Sequence, residues 1–190
     1  MKLFFSFFLI NSIVFTQIPN QKEKTFSNFI LKDSKVSIGL SFYNFDNSIV
    51  KNYFTSIWLS DNLSISSSFS SNISDSDVNL YYNHSIAYHP LMFNNNNIDS
   101  YFNFSMHRMR FYEGKSYRWY DYGISSNINY NNHKIILSWH YITEINDKYF
   151  FNFYYKKLIY NRMNILLGSK LFSENKKFIF QPNIKLIINL

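Results

Sequence analysis

The chain has 190 residues, enough for one core or one barrel, and its 21 Phe and 16 Tyr exclude a disordered chain, which would lack the aromatic side chains that bury surface. It contains no Cys, which excludes disulfide staples and thiolate metal sites. The formal charge of +7 comes without a compact basic motif, so nucleic acid is not an expected partner, and the basic residues of the last third (Lys156, Lys157, Arg162, Lys170, Lys176, Lys177, Lys185) read as solvated strand ends or as contacts with anionic lipid headgroups.

Met1-Lys2 precedes an apolar run from Leu3 to Phe15. One basic residue followed by about thirteen mostly apolar ones is the layout of a secretory signal peptide and is short for a spanning helix, so residues 1–17 are expected to be a signal peptide. Residues 18–34 are polar and mixed and are expected to be a leader preceding a barrel over 35–190. No other segment reaches the ~18 consecutive apolar residues of a transmembrane helix, so any spanning falls to strands.

From Val36 onward the chain alternates. Val36, Ile38, Leu40 and Phe42 interleave with Ser37, Gly39, Ser41 and Tyr43. Asp46-Asn47-Ser48 is a turn, a strand from Ile49 to Ser60 follows, and Asp61-Asn62 closes a hairpin. The next strand sets Leu63, Ile65 and Phe69 against Ser64, Ser66, Ser68 and Ser70, and a face of small hydroxyls suits a lumen better than a dry core. After a Ser, Asn and Asp loop, the strand from Val78 runs to His89, with His84 intruding on its apolar row, and ends at Pro90, which has no N–H for a ladder. A strand from Ile98, a turn at Glu113-Gly114-Lys115 and a strand reaching Tyr130 come next.

The clearest alternation is a hairpin. Ile135, Leu137, Trp139, Tyr141, Thr143 and Ile145 oppose Lys134, Ile136, Ser138, His140, Ile142 and Glu144; beyond Asn146-Asp147-Lys148 the pattern restarts with Tyr149, Phe151, Phe153 and Tyr155. A strand begins at Met163, and Ile184, Leu186, Ile188 and Leu190 form a last one, with Pro182 expected to mark a bulge or a strand start.

The expected fold is all-β: an antiparallel up-and-down transmembrane β-barrel of about 10 strands, within a range of 8–12. A soluble β-sandwich also alternates, but strands of about ten residues exceed the usual five or six of soluble sheets and suffice to cross a bilayer at a tilt. Aromatics at Tyr53, Tyr88, Tyr101, Tyr130, Tyr149 and Tyr160 are expected to form interfacial girdles. The connection from Pro90 to Asn97 is the longest, and it falls on the side where short turns belong, which points to a strand miscounted near the N-terminus.

The long alternating strands and the alternating C-terminal strand resemble bacterial outer-membrane β-barrel proteins in general. That resemblance implies an outer-membrane location, lipid as a partner and recognition of the last strand by barrel-assembly machinery. Leu190 stands where the terminal residue of those proteins is usually aromatic. Asp75-Ser76-Asp77 is similar to the paired aspartates of omptin proteases but has no Asp-x-His partner, and it reads as a turn.

No motif names a reaction, so no catalytic residue, metal or cofactor is assigned. His107 and His140 would meet only if the register brought them together near Asp99, Asp121 or Glu144. The densest cationic spot is Arg108, Arg110 and Arg118, which would bind a phosphate or carboxylate from the lumenal face or rim, or else pair with Glu113 or Asp121. About ten strands with Tyr81, Trp119 and Tyr154 on the inner row leave little lumen, since open channels need about sixteen strands. The role expected is therefore structural or surface-binding, with a narrow anion-preferring pore, a lumen-mouth lipid hydrolase and a secreted soluble binding sandwich as alternatives.

Overall fold

The computed structural model describes residues 35–45, 48–71, 78–90, 97–130, 133–143, 149–174 and 177–190. The signal peptide and leader expected over 1–34, and most of the expected turn residues, lie outside the described residues. The described residues form ten strands: β1 (Val36–Phe45), β2 (Ser48–Ser60), β3 (Leu63–Ser71), β4 (Val78–Tyr88), β5 (Ile98–Phe111), β6 (Ser116–Tyr130), β7 (His133–Ile142), β8 (Tyr149–Tyr160), β9 (Met163–Glu174) and β10 (Lys177–Asn189). Each pairs antiparallel with its sequence neighbours, and β1 closes on β10 from Ser37↔Asn189 to Tyr43↔Asn183. The result is the closed up-and-down barrel of ten strands that the alternation predicts.

The faces are those of a protein turned inside out. The outer wall carries Leu137, Trp139 and Phe151, exposed by 42%, 39% and 42%, while Tyr81, Trp119 and Tyr154 point inward at 0%, 1% and 0%. In β3 the serines Ser64, Ser66, Ser68 and Ser70 are buried inside and Phe69 faces out. A sandwich would seal the apolar rows between two sheets; here a single closed sheet leaves them outside, where hydrocarbon is the solvent that suits them.

We call the end of the barrel where β1 begins and β10 ends the proximal mouth. The β2–β3, β4–β5, β6–β7 and β8–β9 connections lie there, and the other five hairpins meet at the distal mouth. At the proximal turn between β8 and β9, Asn161 takes a positive φ of 40°, a conformation that Asn tolerates better than most residues. At the distal β5–β6 turn Gly114 sits at φ 83°, and the Phe111 amide donates to the Lys115 carbonyl at 2.9 Å.

Several expectations are corrected. β10 starts at Lys177 and runs straight through Pro182, which pairs with Ser169; the ladder to β1 begins only at Asn183, so the missing N–H sits where β10 has left its β1 partner. Tyr101 belongs to no girdle, because its parity turns it into the lumen, where it stacks on His89. Among the described residues the strands number ten, the expected miscount near the N-terminus falls partly on residues outside them, and the connection after Pro90 joins β4 to β5 at the proximal end. β7 ends at Ile142, and β6 begins at Ser116.

Three glycines shape the inner wall. Gly39, Gly123 and Gly168 pair with Phe54, His140 and Tyr154 of neighbouring strands. A Cβ at Gly39 would lie 2.3 Å from the Phe54 ring, and one at Gly168 2.5 Å from that of Tyr154. Each glycine is the floor on which an aromatic ring lies flat along the wall, which lets rings fill a narrow lumen without pushing strands apart.

Candidate functional site

The lumen is packed in layers. Toward the distal mouth Tyr43, Val50, Tyr81, Met109, Trp119 and Phe150 belong to one apolar cluster; Phe54, Ile136, Tyr154, Leu166 and Ile187 form a second, and Trp58, Ala87 and Tyr101 a third. Polar side chains fill the space between them. Asn52 donates to Ser41 at 3.3 Å and accepts from Ser70 at 3.0 Å, and Asn152 donates to Ser138 at 2.8 Å.

Two carboxylate–imidazole clusters stand out, both on the β4–β7 wall. In the first, Asp121 is fully buried between two histidines. Its Oδ2 is hydrogen-bonded to His107 Nε2, and its Oδ1 lies 2.7 Å from His140 Nδ1. The Tyr81 hydroxyl is 2.7 Å from His107 Nδ1, and Asn103 Nδ2 is 3.4 Å from His140 Nε2. These contacts fix a consistent set of donors: Tyr81 and Asn103 donate to the imidazoles, and each imidazole donates its one N–H to the carboxylate. Both rings can therefore be neutral with both nitrogens satisfied. His107 stacks on Trp119 at 5.1 Å and His140 on Phe150 at 4.6 Å, which locks their orientations.

The sequence made a His107–His140 meeting conditional on register, and the register supplies it. They converge on Asp121, whereas Asp99 goes to His89 and Glu144 lies outside the described residues. The carboxylate fills the gap between the imidazoles, and among the described residues no group of three or more His, Asp or Glu side chains is placed to hold a metal ion.

The second cluster lies toward the proximal mouth. Ser64 Oγ is 3.2 Å from His89 Nε2, His89 Nδ1 is 3.1 Å from Asp99 Oδ1, and Asn127 donates to Asp99 Oδ2 at 3.1 Å. The order is that of a serine nucleophile, its base and an orienting carboxylate. Access is missing, however: Ser64 and His89 have no exposed surface, and the imidazole is clamped between Trp58 and Tyr101, with ring centroids 4.2 and 4.5 Å away. The two rings cover the imidazole on both faces. The cluster's signal was hidden in the sequence, because any Ser-rich lumen offers Ser, His and Asp in many combinations and only register selects one.

Across the lumen the β7–β10 wall is cationic. Lys170 and Lys185 are buried, with Lys170 Nζ 4.1 Å from the Phe150 ring centre and Lys185 Nζ 5.1 Å from that of Tyr154. Lys134 and Lys156 share the same inner parity and pair across β7 and β8. Parity was the overlooked sign: Lys170 is in step with Phe172, and Lys185 with Ile187.

The arginines are placed elsewhere. Inward parity on β5 belongs to His107 and Met109 and on β6 to Trp119 and Asp121, so Arg108, Arg110 and Arg118 project from the outer wall, close to the distal β5–β6 turn. Glu113 in that turn binds Lys115 at 3.0 Å, holding its ammonium above the usual lysine range. Elsewhere on the outer wall Ser67 hydrogen-bonds His84, and a groove of about 600 Å³ runs among Ile124, Leu137, Trp139, Phe151 and Phe180.

No protein-family model and no curated protein matches the chain. Solved barrels do resemble it in shape. A KdgM porin aligns with a TM-score of 0.52 at 10% identity, covering 81% of this chain and 99% of its own. The N-terminal barrel of Pseudomonas aeruginosa OprF aligns at 0.42 and 9% identity over 83% and 98%, and the translocator domain of the autotransporter NalP from Neisseria meningitidis at 0.38 and 4% over 82% and 86%. The chain thus has the closed antiparallel fold found in outer-membrane β-barrels.

Proposed function

We propose that this protein is an outer-membrane barrel with a structural and surface-binding role, and that its lumen carries no free flow of solute. The observation that supports this most directly is the filling of the bore: Tyr43, Tyr81, Trp119 and Phe150 pack in one buried cluster near the distal mouth, and Trp58 and Tyr101 close on His89 near the proximal one. Ten strands enclose a bore close to that of barrels whose interiors side chains just fill. The function then falls to the outer wall and the rims. In this reading lipid is the immediate partner, and β10 is the strand that assembly machinery engages.

The purified barrel inserted in planar bilayers is expected to give no stepwise current. Steady single-channel steps would overturn the reading. Lys170 and Lys185 favour a second one, a narrow anion-preferring pore, which such steps would support if the reversal potential in a salt gradient showed anion selectivity.

A further inference from the structure

The outer wall carries a polar rung halfway along its strands. Thr55, Ser67 and His84 stand side by side on β2, β3 and β4, directly opposite one another in the ladders, and all three have outward parity. Ser67 is the central residue of β3 and His84 lies near the middle of β4, which sets the rung at the height of the hydrocarbon centre, where an unpaired polar group is most costly. Thr55 finds its partner within the barrel, donating to the Ser37 carbonyl at 3.3 Å. Ser67 Oγ and His84 Nδ1 hydrogen-bond each other, and Tyr82 stacks on the imidazole at 6.3 Å. His84 Nε2 remains. The ring is exposed on the outer wall, and no hydrogen bond reaches that nitrogen among the described residues.

Either tautomer leaves the same kind of remainder. If Ser67 donates to Nδ1, His84 keeps an Nε2–H donor and Ser67 an oxygen lone pair; if Nδ1–H donates to Ser67, Nε2 is an acceptor and the hydroxyl a donor. One donor and one acceptor, side by side at one height, are complementary to a copy of themselves. Barrels inserted in the same direction are related by a two-fold axis along the membrane normal, which sets residues of equal height against each other. His84 Nε2 of each copy then meets Ser67 Oγ of the other, and two hydrogen bonds close. Lipid chains offer neither a donor nor an acceptor. Beside the rung, Ile57, Ile65, Ile86 and Phe104 line a groove of about 240 Å³, which gives a second copy apolar surface to fill.

We propose that the β2–β4 outer wall is the interface of a symmetric dimer, with Ser67 and His84 at its centre and a second copy of this chain as the occupant. The proposal rests on the reading of that wall as lipid-facing and gives the surface-binding role a partner.

Energy transfer between labelled copies in phospholipid vesicles tests it. The chain contains no Cys, so K115C, at the exposed distal β5–β6 turn, takes donor and acceptor dyes. Transfer above the level of random proximity is expected to survive dilution with lipid. H84L, whose side chain suits hydrocarbon, should weaken association at least tenfold, because symmetry removes both hydrogen bonds at once. S67A should weaken it at least threefold, and F153L, on the outer wall of β8, should leave it unchanged. Heat-modifiable migration on gels checks that each variant folds; if H84L does not assemble, S67A decides. Transfer that falls to the random level in the otherwise wild-type chain, or that H84L and S67A leave undiminished, would overturn the proposal. A folded, monomeric barrel that still partitions with membranes would leave the lipid-facing reading standing, whereas a chain that stays in the aqueous fraction without detergent would end both.

Discussion

Gly123→Val will leave no folded barrel. A Cβ at Gly123 would lie 2.1 Å from the Trp139 carbonyl oxygen and 2.9 Å from His140 Cα, so the obstruction is backbone and no rotamer change relieves it. To admit the side chain, β7 must part from β6 near the Gly123↔His140 pair, which also pulls His140 off Asp121 and its ring off Phe150. Even alanine meets the same contact. The control is Ser125→Ala on the same strand and the same inner face: Ser125 is buried, but its hydroxyl makes no hydrogen bond, so its loss should cost less than about 1 kcal/mol. The measurement is the fraction of chain that migrates in the compact, heat-sensitive form after refolding into detergent. Near-normal yield for the valine variant would show that the wall at β6–β7 is looser than its geometry.

Asp121→Ala is the second large effect. It strips the shared acceptor from His107 and His140, leaving two buried imidazole N–H groups pointing into a small void in a lumen with no room for exchange. A buried donor left without an acceptor typically costs about 1–3 kcal/mol, so the two freed imidazole N–H groups are expected to cost about 2–6 kcal/mol together. Asp121→Asn, which keeps a single carbonyl acceptor for one of the two imidazoles, should fall between alanine and wild type. Urea unfolding of the barrel in lipid vesicles, followed by tryptophan fluorescence, gives the comparison directly, since Trp119 stacks on His107 and will report the loss. If alanine and wild type share a midpoint, the cluster contributes nothing to stability.

The architecture was open to reading from the chain because a strand imposes a period of two, and lipid outside with side chains inside imposes opposite chemistry on alternate residues. Leu137 and Trp139 faced out and Ile136 and His140 faced in, as their parity required. The site was less open. Parity alone turns Arg108, Arg110 and Arg118 away from the lumen, since His107 and Trp119 occupy the inward positions, whereas density of charge along a sequence carries no phase. The Asp121 cluster needed the register between three strands, which composition does not encode. Gly39, Gly123 and Gly168 were invisible for another reason: a glycine in a strand carries no mark of the ring that will lie over it.

The wall of the cylinder is not uniform in strength. β5 and β6 are laced together from Ile98 to Arg110, whereas β1 and β10 are joined over a shorter stretch, from Val36, whose carbonyl accepts from the Leu190 amide at 2.9 Å, to Tyr43 opposite Asn183, beyond which Pro182 offers no rung. A hoop opens along a short weld before a long one. Amide protons on the Ser37 to Tyr43 segment should therefore exchange with deuterium well before those of β5, and under heat or tension the tube should unzip there into a curved ribbon with β1 and β10 as its two hems.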